Sequence, residues 1–224
     1  MSASSASSVT ALPSVTRSTL KRSRPNTLAR LLDGAYEVFA DVGFAQATVE
    51  EVCERAGFSR GAFYSNFSTK DELFFALWRR QADQLVAVLR GAATTFAEHP
   101  EEVEMVQLGL VYDALQNIRM GDRRWYLVNT EFTLHALRNP EVGRQLAERR
   151  GALSVELTHV VNAYLDIRRR TLAPEVSKEM FVGLILAFYE GSQGQVLLEV
   201  DGGGDGRRQS LMLHLLLDRL TQPT

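Results

Sequence analysis

The run from Thr48 to Leu73, TVEEVCERAGFSRGAFYSNFSTKDEL, constrains this chain more than any other part of it. Helix start and stop signals crowd into it. Thr48 with Glu51 three residues on is a capping-box pattern, Gly57 closes the helix it opens, and Ser59 can cap the next. Ser68 and Thr69, followed by Asp71 and Glu72, open a third. The middle segment, Arg60–Phe67, is too short to be stable alone in water, so packing must hold it. Phe63 and Phe67, four apart, supply the face that packs. Two short helices joined by a tight glycine-containing turn make a helix-turn-helix.

The remaining face of the short helix carries Arg60, Gly61, Ala62, Tyr64, Ser65 and Asn66. Arg pairs with guanine edges, Asn with adenine edges, and an Ala methyl can touch the thymine methyl. Gly61 keeps bulk away from the helix start. Tyr64 can give its hydroxyl to a phosphate. Lys70 sits beside helix-start amides that favour an anion, and Thr48 and Ser59 offer hydroxyls at two further helix starts.

Net charge argues only weakly for such a partner: the formal charge is −2 and the pI about 6.1. Its distribution is more informative. Residues 1–26 hold Arg17, Lys21, Arg22 and Arg24 and no acid, whereas residues 27–78 hold four bases and eight acids. The first segment reads as a disordered, Ser-rich basic arm, with its charges placed wrongly for a secretory signal. Cys53 is the single cysteine, which excludes an intramolecular disulfide and suits a reducing cytoplasm. Its place on the apolar face makes it a core residue. No run approaches the length of a membrane span.

Helical spacing recurs along the whole chain, so the expected fold class is all-α. Leu28, Leu31, Leu32, Ala35, Phe39 and Val42 form one stripe that Gly43 stops. A long helix runs from Ser68 through Leu89. Further helices are expected near 101–119, 122–138, 140–167, 175–199 and 208–221, giving a basic arm (1–26), a helix-turn-helix domain (27–72) and a larger helical domain (73–224). The last helix is apolar nearly all round and the one near 175–199 has two apolar faces, which implies burial on several sides. Two such helices from each of two subunits would make an isologous interface. Glu131 and His135, four apart, read as a helix-surface pair rather than a metal site. DGGGDG lacks a Glu at the twelfth calcium-loop position, where Met212 stands, and is a connector. Arg168–Arg170 close a helix as solvated cations.

From Ala35 to Leu73 the pattern AxxxFxxxGFxxxTVEEVCERAGFSRGAFYSNFSTKDEL resembles the DNA-binding headpiece of the TetR/AcrR transcriptional regulators. Val52-Cys53 stands where Ile-Ala is common, Phe58 where Val is, and Asn66 where His is, the last bearing on base preference. The resemblance implies a regulator that is not an enzyme and needs no cofactor or metal. Thr48, Tyr64 and Lys70 would bind phosphate, Arg60, Gly61, Ala62, Ser65 and Asn66 would lie along the groove, and Ser59 joins them among the DNA-binding residues. Arg22 and Arg24 of the arm would reach the minor groove. It also implies a homodimer through the helices near 175–199 and 208–221, bound to a double-stranded operator and released by a small, largely apolar effector. Candidate effector residues are Tyr112, Gln116, Trp125, Asn129, Phe132, His135, Phe181, Phe188 and Ser192. Two other readings stay open: an all-helical enzyme with a vestigial headpiece, though no catalytic constellation is evident, and a regulator controlled by protein partners alone.

Overall fold

A computed structural model describes residues 24–99, 114–115, 122–198 and 207–224. Most of the expected 101–119 helix, the GGGDG connector and Arg22, Tyr112 and Gln116 lie outside the described residues, as does the side chain of Arg24. The described chain is almost wholly helical. Its elements are α1 (Arg24–Val42), α2 (Val49–Ala56), α3 (Arg60–Tyr64), α4 (Lys70–Glu98), α5 (Arg123–Arg138), α6 (Pro140–Arg168), β1 (Arg170–Leu172), α7 (Lys178–Leu198), α8 (Arg207–Leu220) and β2 (Thr221–Pro223).

Local chemistry sets the boundaries. α1 already starts at Arg24, within the expected arm, and stops at Gly43, whose φ of 85° belongs to the left-handed region that glycine tolerates. Thr48 and Glu51 form the full reciprocal capping box on α2, and Gly57 ends it with φ 70°. α3 is shorter than its spacing predicts. Ser65 and Asn66 fall in a turn because Ser65 Oγ and Asn66 Nδ2 both donate to the Ala62 carbonyl (2.9 and 2.8 Å), competing with further helix. Thr69 caps α4, a rod of 29 residues and hence about 44 Å. Pro140 occupies the first turn of α6, where its missing N–H costs nothing.

β1 and β2 are a departure from the all-helical expectation. They pair antiparallel, Arg170 opposite Pro223 and Leu172 opposite Thr221, clasping the end of α8 to the end of α6. Arg169, in the left-handed region at φ 49°, turns the chain into β1. The Arg168–Arg170 triplet is therefore not simply solvated. Arg170 donates to Thr221 and Asp218, and the Arg168 guanidinium lies 5.7 Å from the Phe96 ring centre.

The buried core is continuous from the α1–α3 headpiece through α4 into the body. Its hinge is aromatic: Phe132 of α5 stacks on Phe74 of α4 at 3.6 Å, and Phe44 from the α1–α2 loop meets Phe132 edge-on at 4.9 Å. α7 has the length and apolarity of a membrane span by composition, which the sequence reading did not register. Lys178, Glu179, Glu190 and Gln193 interrupt it, and Phe181 and Val182 face the bundle.

Candidate nucleic-acid interface and internal cavities

Phe63 has no exposed surface and Phe67 almost none, so the pair pins α3 onto the headpiece as their spacing predicts. This turns Ser59, Arg60, Gly61, Tyr64 and Ser65 outward on one exposed face, with Ala62 and Asn66 half-buried at its edge. A Cβ at Gly61 would meet only Ser59 Oγ, at an ordinary 3.7 Å, so nothing inside the chain demands a glycine there. Tyr64 is 53 % exposed despite its size. The sequence places these side chains together, and the structure keeps them together.

Their partners qualify several expected roles. Arg60 is paired with Glu50 at 2.9 Å on the open surface, and its guanidinium lies 5.9 Å from the Tyr64 ring centre. The tyrosine hydroxyl and Glu50 together raise its pKa above the ordinary arginine value. Ser59 Oγ accepts from the Ala62 amide and caps α3. The Thr48 hydroxyl accepts from the Glu51 amide and donates to the Glu51 carboxylate, so a phosphate there competes with Glu51. The Thr48 amide, donating to the Glu51 carboxylate at 2.9 Å, and then the Thr48 hydroxyl hold the Glu51 pKa below the usual carboxylate value.

Lys70 differs most from its expected role as a phosphate ligand. Its ammonium turns inward, donating to the carbonyls of Phe44 (2.6 Å), Ala47 (2.8 Å) and Ala45 (3.3 Å) above the Phe44 ring. An ammonium has three donors, and three carbonyls that no helix satisfies take them. Burial pushes its pKa below the ordinary lysine value, against the pull of Asp71 and Glu51. Lys70 fastens the α1–α2 loop to α4.

Sequence reasoning also missed how α5 grips the headpiece. Glu131 and His135 are not a mutual surface pair. Glu131 accepts from the Phe44 amide at 2.7 Å, and Gly43 leaves room for it, since a Cβ there would come within 2.8 Å of its carboxylate. His135 meets Asp71 at 3.1 Å, Tyr36 donates to Asp122, and Arg124 pairs with Asp41. Phe132 and His135, expected to line an effector cavity, belong to this junction instead and line neither body cavity below.

Among the described residues, one cavity lies on each of two sides of α7 in the body. One, of about 170 Å³, lies between α4, α6, α7 and α8 and is walled almost entirely by apolar side chains, including Leu89, Phe96, Phe181 and Phe188. Ser192 also lines it, but its hydroxyl donates to the Tyr189 carbonyl. The other, of about 650 Å³, is a wider cleft between α4, α5, α6 and α7 where Trp125 and Asn129 stand with Thr133, Arg150 and Glu190. Leu85, Leu186 and Tyr189 border both. Of the expected effector residues, Phe181, Phe188 and Ser192 thus line the first space and Trp125 and Asn129 the second.

Residues 31–77 match the family model described as bacterial regulatory proteins, tetR family. The chain is 26% identical over 187 residues to the HTH-type transcriptional repressor Rv1474c of Mycobacterium tuberculosis, covering 84% of this chain and 89% of that protein. It is 36% identical over 100 residues to the HTH-type transcriptional activator FasR of Mycolicibacterium smegmatis, spanning 45% of each. Among solved structures, a TetR transcription regulator from Haloarcula marismortui superposes with a TM-score of 0.64 at 17% identity, covering 88% of this chain and all of that one.

Proposed function

From a chain that belongs to the TetR family of bacterial regulatory proteins, we infer a cytoplasmic repressor that binds a pseudo-palindromic operator as a homodimer and leaves it when a small, largely apolar effector binds. The observation that carries this reading is the exposed α3 face, held rigid from behind by Phe63 and Phe67. The repressor sense leans on the relative that matches most of the chain.

On DNA, Arg60 exchanges Glu50 for a guanine edge or phosphate; an exposed ion pair is worth little, so the exchange costs little. Tyr64 and the amides at the α2 start take phosphates, and Gly61 lets the duplex backbone approach. Asn66 reads a base only by turning its amide from Ala62. Lys70 acts by positioning the loop. The reading keeps the arm, Arg22 and Arg24 included, for the minor groove.

The dimer is supported by what one chain leaves open. α8 exposes Leu211, Met212 and Leu215, and α7 exposes Leu184. Exposed apolar side chains on two packed helices are what an isologous helical interface covers. Two headpieces then sit about 34–36 Å apart, in successive major grooves. α4 starts at the headpiece and lines the apolar cavity with Leu85, Leu89 and Phe96, while α5 grips the headpiece at Glu131 and borders the cleft at Asn129. A ligand that binds better to a state with the wrong headpiece separation therefore releases the operator.

Anisotropy titration against DNA from upstream of its own gene tests the reading. Sequence-selective, salt-dependent binding is expected, with Arg60→Ala losing about 1–3 kcal/mol. Equal affinity for promoter and random DNA would sink it.

A further inference from the structure

The apolar cavity has a wall that its other residues do not explain. Ser210, in the first turn of α8, is 5 % exposed, and its Oγ has no hydrogen-bond partner among the described residues. A buried hydroxyl without a partner is costly, and native folds keep such groups where something else completes them. Around it, the described lining holds no acid, lysine, arginine or histidine; its other polar groups are Ser192, Gln209 and the phenols of Tyr164 and Tyr189. Arg168 stacks on Phe96 but does not line the space. An ionised headgroup would be desolvated here with no opposite charge among the described lining residues, which is costly next to burying a neutral one.

Resting on the reading of this cavity as the effector site, we propose that it takes an uncharged molecule with an apolar body and a single hydrogen-bonding oxygen held by Ser210. Size narrows the class. A cavity of about 150 Å³ lined by apolar side chains stays dry and holds benzene. The 170 Å³ here therefore encloses about seven heavy atoms, and its open side leaves room for a somewhat longer tail. Aliphatic alcohols, ketones and simple phenols fit; fatty-acid anions and large cationic drugs do not. Ser210 lies on the helix that also carries the exposed Leu211, Met212 and Leu215, so occupancy there bears directly on the face left for a second copy.

Calorimetric titration of the full chain with 1-octanol, octanoate and ethylbenzene at pH 7.5 tests this, with Ser210→Ala in parallel. Octanol is expected to bind at least about tenfold more tightly than octanoate. Ser210→Ala should weaken octanol about three- to tenfold and leave ethylbenzene unchanged. Octanoate binding as well as octanol would overturn the proposal, pointing to a cation such as Arg168 as the anchor. So would an octanol affinity indifferent to Ser210→Ala, an equal loss of ethylbenzene, or no binding by any probe. Promoter titrations with the same preparations separate the two levels. Selective DNA binding alongside any of those failures leaves the regulator intact, whereas octanol binding without selective DNA binding removes the regulator and keeps the cavity chemistry.

Discussion

The headpiece and the body finish their apolar surfaces in different ways. In the headpiece, Leu31, Phe39, Val52, Phe63 and Leu73 are enclosed by neighbours from the same chain, and only Leu28, Val42 and Tyr64 stand out. In the body, Leu215 is 53 % and Met212 48 % exposed, beside Leu184 and Leu211. The contrast reflects what each part must do. A DNA-reading module needs a rigid, self-sufficient core behind a polar face. The body's last two helices leave these apolar side chains in water, and on the proposed reading a second copy covers them. Between the two parts, α5 carries the contacts that hold the headpiece to the body.

The largest effect that could break this division is at the junction. Phe132→Ala removes the ring sandwiched against Phe74 and Phe44 and should cost about 3–5 kcal/mol in urea unfolding. A loss below about 1 kcal/mol would mean that the two parts are not coupled through it. Leu215→Glu comes next, acting on the body alone. By sedimentation it should weaken self-association by about thirtyfold or more and cut operator affinity, with the far-ultraviolet dichroism unchanged.

Within the headpiece, Gly57→Ala forces a left-handed φ of 70° on a side chain and should cost about 1–2 kcal/mol in thermal unfolding. Glu131→Ala leaves the half-buried Phe44 amide without its acceptor, for about 1 kcal/mol, and should blunt any effector response more than it weakens operator binding. The smallest effect is pH-dependent. Glu51 has a depressed pKa in the folded state, so its capping contribution is complete above the unfolded carboxylate value and fades as pH falls through the folded one. Glu51→Gln should thus be less stable than the parent at pH 7 and indistinguishable from it near pH 3.

These contrasts also explain what the sequence disclosed. The caps at Thr48, Ser59 and Thr69, the stop at Gly57 and the Phe63/Phe67 anchor are interactions over three or four residues, and pattern alone locates them. The inward contacts of Lys70 are not legible in the sequence because its three acceptors come from more than twenty residues back, on a loop whose path only the folded chain defines. For Glu131, Phe132 and His135, helical spacing says which residues share a face, not what that face meets. The β1–β2 clasp joins two three-residue segments about fifty residues apart, too short to carry a strand signal. The α7 and α8 apolar faces were legible as faces needing burial, and the single chain leaves them open.

The claim that a dimer of closed headpieces reads DNA is tested most directly by selecting binding sites from a random duplex library with the full chain. The account predicts an inverted repeat with half-site centres about 10–10.5 base pairs apart or a multiple of that spacing. Arg60→Ala should relax the same position in both halves. A single asymmetric site, or no enriched sequence at all, would contradict it.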